Sequence, residues 1–312
     1  MAKPIVILGI ETSCDDTCVA ISKNNKIIAN VIYSSTAQHV KWGGIVPEIA
    51  ARSHEQALLK VYLQALKQAR LSNKSITHVC YTSNPGLPGS LHVGKVFAKA
   101  LATLLNVKLI PIDHLLGHVF SFHVNTNDKI KFPLLACVLS GGHTCIYLFK
   151  SINKYIIVNQ TQDDAIGEAL DKVGRVLGIK YPGGVNIDKN YTASKHINII
   201  NHYEPTAVFS FSGAKTHVTN IVNSLKMKKQ KIDKYIIGSS FLKWCVDEIS
   251  IKMNYYVNKY KPQTIVFGGG VSANQLLRKQ FTSIKCFFPG KEYCTDNAAM
   301  ICHYCYLVNT KK

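Results

Sequence analysis

Two stretches of the chain, about half a chain apart, carry the same order of apolar and polar positions: an apolar run, a small polar turn, a second apolar run. The first is "IVILGIETSCDDTCVAIS", beginning at Ile5; the second is "LLACVLSGGHTCIYLF", residues 134–149, with its turn at Ser140 to Thr144. Each predicts a β-hairpin whose turn offers backbone N–H groups and small side chains, a cradle suited to phosphate. Their repetition predicts a duplicated lobe.

Helical periodicity fills the intervals. "VPEIAARSHEQALLKVYLQALKQA" gathers Ile49, His54, Leu58, Leu59, Tyr62 and Leu66 near one face, and "VGKVFAKALATLL" gathers Val96, Phe97, Ala100, Leu101 and Leu104. Further helices are expected in "DDAIGEALDKVGRVLG", "IIGSSFLKWCVDEISIKMNYYVNKY" and "DNAAMICHYCYLV", with strand-like "THVCYTS" and "QTIVFGGG" between helices. That succession predicts a layered α/β fold. At 312 residues the chain is long enough for two such lobes facing one cleft.

Glycine-rich turns close several of these strands: "NPGLPGS" from Asn84, "SGGH" from Ser140, "YPGG" from Tyr181 and "GGGVSAN" from Gly268. One such turn carries little information, because glycine serves wherever the chain needs positive φ. Four together point to a phosphate-bearing ligand. None has P-loop spacing and no GxGxxG opens a helix after a strand. The ligand is therefore expected between opposed lobes, as in actin-like and sugar-kinase-like folds.

The stretch "IDHLLGHVFSF", residues 112–122, adds metal chemistry. His114 and His118, four apart on a helix, share one face and can share one ion. Asp113 stands at the N-cap position, and Gly117 and Val119 leave the face uncrowded. An HxxxH taken alone is ordinarily a pair of histidines satisfied by local hydrogen bonds. It is not a zincin motif, since Leu115 stands where HExxH has glutamate, and no glutamate placed to support a metal-bound histidine is recognisable. The best third ligand is Asp296 in "CTDNAAM", whose carboxylate can reach either its own helix amides or a metal. Two imidazoles and one carboxylate leave positions open for substrate.

Charge and cysteine content refine the class. Thirty-seven basic against 18 acidic residues give +19, which favours a polyanionic partner such as nucleic acid, although a lysine-rich genome produces the same bias. The densest run, "KMKKQKIDK" from Lys226, reads as a solvated loop. Cys14, Cys18, Cys137 and Cys145 sit in or beside strand-like runs and are read as reduced thiols; Cys302 and Cys305 have metal-like spacing but no second CxxC. The N-terminal apolar run, Ile5 to Ile10, is too short for a signal peptide or membrane span, and no Arg-rich leader precedes it. A soluble cytoplasmic protein is expected.

Taken in order, "ILGIETSCDDT", "GGIVPEIAARSH", "NPGLPGSLHVG", "HLLGH", "VLSGGHT", "DDAIGEALDKVGRVLG", "YPGG", "FSFSGAKT", "GGGVSAN" and "CTDNAAM" resemble the bacterial tRNA threonylcarbamoyladenosine transferases of TsaD type, from about residue 5 to residue 308. The resemblance implies an actin-like (ASKHA, sugar kinase/Hsp70 type) duplicated two-lobed fold with nucleotide and metal in the interlobe cleft. It implies lobes of residues 1–112, completed by a terminal helix at 297–312, and 113–296. The implied reaction moves the threonylcarbamoyl group of threonylcarbamoyl-AMP to the N6 amine of adenosine 37 in tRNAs reading codons that begin with A, releasing AMP.

Carried over by position, the metal ligands are His114, His118 and Asp296, holding one divalent ion, iron before zinc. The adenylate positions are Val138, Leu139, Ser140, Gly141, Gly142, Asp171, Gly184, Asp188 and Asn274. Asp171 and Asp188 suit ribose hydroxyls, and Asn274 suits the donor or the adenine. General-base candidates are Glu11, Asp15 and Asp16 in the first hairpin turn, each weighed against solvation or bonding to nearby amides. Lys215 is a candidate for phosphate or tRNA, and His143 for bracing its turn. Implied partners are tRNA, an inactive paralogue (TsaB type) and a small ATPase (TsaE type). The link from Asp188 to Phe209 is shorter than the family pattern, Val185 and Asn186 depart from it, and the chain ends directly after the last helix. A sugar kinase or ATPase of the same fold would leave the histidines without work; a metallopeptidase would lack HExxH.

Overall fold

The computed structural model describes residues 3–126, 128–193, 195–199, 204–282 and 285–309. The chain divides into two compact units, residues 1–129 with 289–312, and residues 130–288. Segments 113–129 and 289–296, expected in the second lobe, thus belong to the first unit.

The first unit begins with β1 (Val6–Glu11), β2 (Asp16–Lys23) and β3 (Lys26–Ser34), then α1 (Thr36–His39) and α2 (Pro47–Ala69). It continues through β4 (His78–Asn84), α3 (Pro88–Leu105), β5 (Lys108–Asp113) and α4 (His114–Phe120). The second unit holds β6 (Leu134–Leu139), β7 (Thr144–Ser151), β8 (Lys154–Gln160), α5 (Ile166–Val176), α6 (Gly183–Lys189), α7 (Ser212–Met227), α8 (Lys234–Tyr260), β9 (Thr264–Gly268) and α9 (Gln275–Gln280). The chain then returns to the first unit as α10 (Ala298–Asn309); residues 310–312 of the expected helix lie outside the described residues.

Strand order is β3-β2-β1-β4-β5 in one sheet and β8-β7-β6-β9 in the other. In both, three antiparallel strands are followed by one parallel neighbour, so the second unit repeats the first four strands of the first. Three strands escape the sequence reading. β5 reads "KLIPID", whose Pro111 argues against a strand; the structure places it at a sheet edge, where proline is tolerated. β3 and β8 are edges as well; their apolar runs, "IIANVIY" and "YIIV", lie largely half-buried or exposed and are not among the expected strands.

β1 is buried on both faces. Val6, Leu8 and Ile10 enter a core with Leu58, Val61 and Tyr62 of α2 and Ala98 and Leu101 of α3. The opposite face meets α10, and Gly9 sets how closely: a Cβ there would lie 2.6 Å from Cys302 Sγ and 2.9 Å from the Ala298 carbonyl. Glycine is used here for helix-to-strand approach rather than for a turn. None of the ten cysteines forms a disulfide, and Cys302 and Cys305 are core thiols beside Cys80.

The helical faces differ in part from the periodicity. Leu58, Tyr62, Leu66 and Leu101 are buried, but Leu59 and Leu63 on α2 and Val96, Ala100 and Leu104 on α3 face outward, Leu104 at 76%. Small residues, Ala50, Ala57, Ala65, Gly94 and Ala98, carry much of the inward surface instead.

Replacing Gly9 by alanine is expected to cost about 1–3 kcal/mol through overpacking. Adding Cys302→Ala should recover part of that loss; denaturant titration of the two variants measures it.

Candidate metal centre

The "HLLGH" segment forms α4, and Asp113 is its N-cap, with Oδ1 accepting from Leu116 N at 3.1 Å. Every residue of α4 is buried. Gly117 lets it lie against α10, since a Cβ there would be 3.0 Å from Ile301 Cδ1 and 3.2 Å from Met300 Cγ. That contact brings both histidines beside Asp296. The helix cap of α10 is Asn297, whose Oδ1 accepts from Met300 N at 3.0 Å.

Asp296 Oδ1 lies 3.1 Å from His118 Nε2 and 3.6 Å from His114 Nε2. One ligand atom from each residue falls within 4.8 Å of the other two. Nitrogen and oxygen ligands about 2.1 Å from one ion are separated by on the order of 3–3.5 Å, close to both Asp296 separations, so the three residues form a group that could hold a divalent cation. Asp296 is 23% exposed while both histidines are buried, which leaves one side of the group open to solvent.

Glu11 stands behind His114. It is 0% exposed, and its Oε2 lies 3.0 Å from His114 Nδ1 and accepts from Thr82 Oγ1; its Oε1 accepts from Ser13 N at 2.5 Å. Ser13 Oγ also approaches His114 Nδ1, at 3.2 Å. An Nδ1–H donated to Glu11 directs Nε2 toward Asp296, the carboxylate–histidine arrangement that orients metal ligands. Both oxygens of Glu11, named above as a general-base candidate, are therefore engaged, one of them by His114. The contact of Glu11 with His114 is not apparent in the sequence.

Electrostatics agree with that pairing. Burial alone would lower His114, but Glu11 and Asp296 outweigh it and raise the imidazole to about 9. Burial works against the charge of Glu11, yet His114 holds its carboxyl below the ordinary range. Burial and the neighbouring His114 lower His118. Its Nδ1 has no hydrogen-bond partner among the described residues, so that ring is held by packing and by Asp296.

The turn between β1 and β2 is pinned from two helices. Thr12 Oγ1 donates to the Ser90 carbonyl at 2.9 Å, and Ser90 Oγ and His54 Nε2 both donate to the Cys14 carbonyl, at 3.2 and 3.0 Å. Asp15 accepts from Thr36 Oγ1 at 2.8 Å. Burial, the main cause, pushes Asp16 up to about 7, into the range where a carboxylate exchanges protons at neutral pH.

The expected adenylate positions lie in the second unit. Val138 and Leu139 end β6 with buried side chains, so only their backbone is available to a ligand. The Ser140–His143 turn is closed by Ser140 N to the His143 carbonyl (2.8 Å) and His143 N to Ser140 Oγ (3.0 Å), while Gly141 and Gly142 are exposed. The start of α5 abuts this turn: a Cβ on Gly167 would lie 2.8 Å from Gly141 Cα. Asp171 Oδ1 accepts from Gly184 N at 3.0 Å, and Asp188 Oδ2 from Gln275 N at 3.2 Å. Asn274 caps α9 by accepting from Leu277 N at 2.9 Å. These contacts join Asp171, Gly184, Asp188 and Asn274 through α5, α6 and α9. Lys215 is paired with Asp164, which also binds Lys172 at 2.7 Å.

A double His114→Ala, His118→Ala variant is expected to lose bound metal, and Glu11→Gln to weaken it about 10- to 100-fold. Metal titration of the purified variants checks both.

The family model for tRNA N6-adenosine threonylcarbamoyltransferase, TsaD, matches residues 26–303. The chain is 48% identical to the tRNA N6-adenosine threonylcarbamoyltransferase of Ureaplasma parvum serovar 3, over 98% of this chain and 97% of that one. It is 40% identical to the protein of the same name from Mycoplasma pneumoniae, over 99% and 98%. Among solved structures, (R)-2-hydroxyglutaryl-CoA dehydratase component A of Acidaminococcus fermentans matches with a TM-score of 0.57 at 14% identity, covering 98% of this chain and 100% of that one. That likeness concerns the fold alone, which is the actin-like α/β fold.

Proposed function

The chain belongs to the tRNA N6-adenosine threonylcarbamoyltransferase family, and from that premise we propose how its residues divide the reaction. The reaction transfers the threonylcarbamoyl group of threonylcarbamoyl-AMP to N6 of adenosine 37 in tRNAs reading codons that begin with A. The N6 amine bonds to the carbamoyl carbon, the bond from that carbon to the phosphate oxygen breaks, AMP leaves, and N6 gives up one proton.

An adenine amine is a weak nucleophile, so the enzyme's work is positioning and charge stabilisation around an already activated acyl donor. The observation that carries this reading is the convergence of His114, His118 and Asp296, with Glu11 behind His114. These three residues would hold one divalent ion, iron or zinc, which supplies Lewis-acid polarisation and a chelating centre when bound.

The chain's own groups do the rest. Gly141 and Gly142 present exposed backbone at the end of β6, suited to the phosphate that departs with AMP. Asp171, Gly184, Asp188 and Asn274 form the adenosine side of the donor site. With Glu11 committed to His114, Asp15 and Asp16 remain to take the N6 proton. Lys215, neutralised by Asp164, acts on the local shape of the second unit and not as a free phosphate ligand. A kinase reading gives the histidine–aspartate group no task. A peptidase reading needs a free glutamate beside the metal, and Glu11 is not free.

The outward stripe of Leu59, Leu63, Val96, Ala100 and Leu104 supports a protein partner. We assign it to the inactive paralogue of TsaB type, with the small ATPase of TsaE type acting on that pair. No helix among the described residues is long and apolar enough to cross a membrane. A tRNA substrate makes the cytoplasm the site of action.

Incubation of tRNA with the chain, its companion proteins and threonylcarbamoyl adenylate should yield modified adenosine by nucleoside analysis; none, with a working control enzyme, contradicts the function. Leu63→Glu should abolish association with the paralogue in size-exclusion chromatography while bound metal stays at the wild-type level. An unchanged complex would move the interface elsewhere.

A further inference from the structure

Between β3 and α2 the chain makes a short excursion, "STAQHVKWGGIVPE", whose base is fixed and whose tip is exposed. At the base, His39 is fully buried and uses both ring nitrogens: Nδ1 accepts from Val46 N at 3.2 Å and Nε2 contacts Ser35 Oγ at 3.1 Å. Ser35 Oγ in turn donates to the Asp15 carbonyl at 2.8 Å, so the imidazole must donate through Nε2–H. Thr36 Oγ1 donates to Asp15 Oδ2. The excursion is thereby closed across His39 and fastened to the same turn whose Ser13 and Glu11 orient His114.

At the tip, residues 40–42 form one 3₁₀ turn ended by Gly43 with φ +66°. Trp42 is 58% exposed, Val40 is exposed beside it, and Lys41 Nζ lies 5.2 Å from the Trp42 ring centroid. A large aromatic left in water on a rigid mount, with a cation at its face, is a surface awaiting a flat partner that carries negative charge. The chain's +19 charge and its tRNA substrate identify the chemistry. An unpaired nucleobase stacks on the indole and its phosphate meets Lys41.

We propose that Trp42 and Lys41 form a stacking platform for an unpaired base of the anticodon loop. A rigid mount lowers the ordering cost of binding, because His39, Ser35 and Thr36 hold the loop before RNA arrives. This inference rests on the tRNA reading above. Its readout is binding, so a chain that binds RNA through Trp42 but modifies no adenosine would count against the chemistry alone.

The test uses the full chain and a synthetic anticodon stem-loop. The sequence has two tryptophans, and Trp244 is buried, so stacking on Trp42 should quench the exposed part of the emission. The quench should vanish in Trp42→Phe, which keeps a ring and most of the affinity. Trp42→Ala should weaken stem-loop binding roughly 5- to 100-fold, the range expected for one lost base–aromatic stack, with bound metal unchanged. Unaltered affinity in Trp42→Ala overturns the proposal. So does an equal quench by a fully paired duplex, which would mean that charge alone is read. Loss of metal from Trp42→Ala, or loss of the companion protein with RNA affinity intact, would assign the loop to support of the site or to a protein contact and overturn it as well.

Discussion

The first unit is organised around one buried pair, the Glu11 carboxylate facing the His114 imidazole at 3.0 Å. A carboxylate with no exposed surface survives only if its charge is met, and removal of either partner leaves an uncompensated group in the core. Thr82 and the Ser13 amide supply the remaining hydrogen bonds, so the pair fixes the end of β1, the β1–β2 turn and β4 relative to α4. Once the Nδ1 side of His114 is fixed, its Nε2 side can face only the Asp296 and His118 group. Ligand geometry is thus set from the opposite side of the imidazole ring to where a metal would sit.

Close packing does the corresponding work for Asp296. Gly9 beneath α10 and Gly117 beside it allow helix, sheet and α4 to approach more closely than side chains would permit. Asn297 takes the capping duty. An aspartate separated from His118 by 178 residues arrives at 3.1 Å because two glycines and one asparagine clear its path. If the group holds an ion, such rigidity would let three ligands suffice where a structural site uses four.

Much of this was legible in the sequence. The paired hairpins, the spacing of His114 and His118, the cap at Asp113 and the candidacy of Asp296 rest on local pattern, and local pattern carries periodicity and caps well. Glu11 was read as a turn carboxylate because its partners, Thr82 and His114, lie 71 and 103 residues away, and register between strands is invisible in a single chain. The periodicity grouped Leu59, Val96, Ala100 and Leu104 with residues that turn inward, since it marks an apolar face without saying what covers it. Here Ala50, Ala57, Ala65, Gly94 and Ala98 share the inward packing with Leu58, Tyr62, Leu66 and Leu101, while Leu59, Leu63, Val96 and Leu104 face outward. Pro111 hid β5 because only sheet order shows that it occupies an edge.

The most direct measurement is anomalous diffraction from crystals of the purified protein, collected across the iron and zinc absorption edges. The account predicts one peak about 2.0–2.2 Å from His114 Nε2, His118 Nε2 and an Asp296 carboxylate oxygen. No peak at that position in metal-replete crystals, or a peak held by other residues, would contradict it.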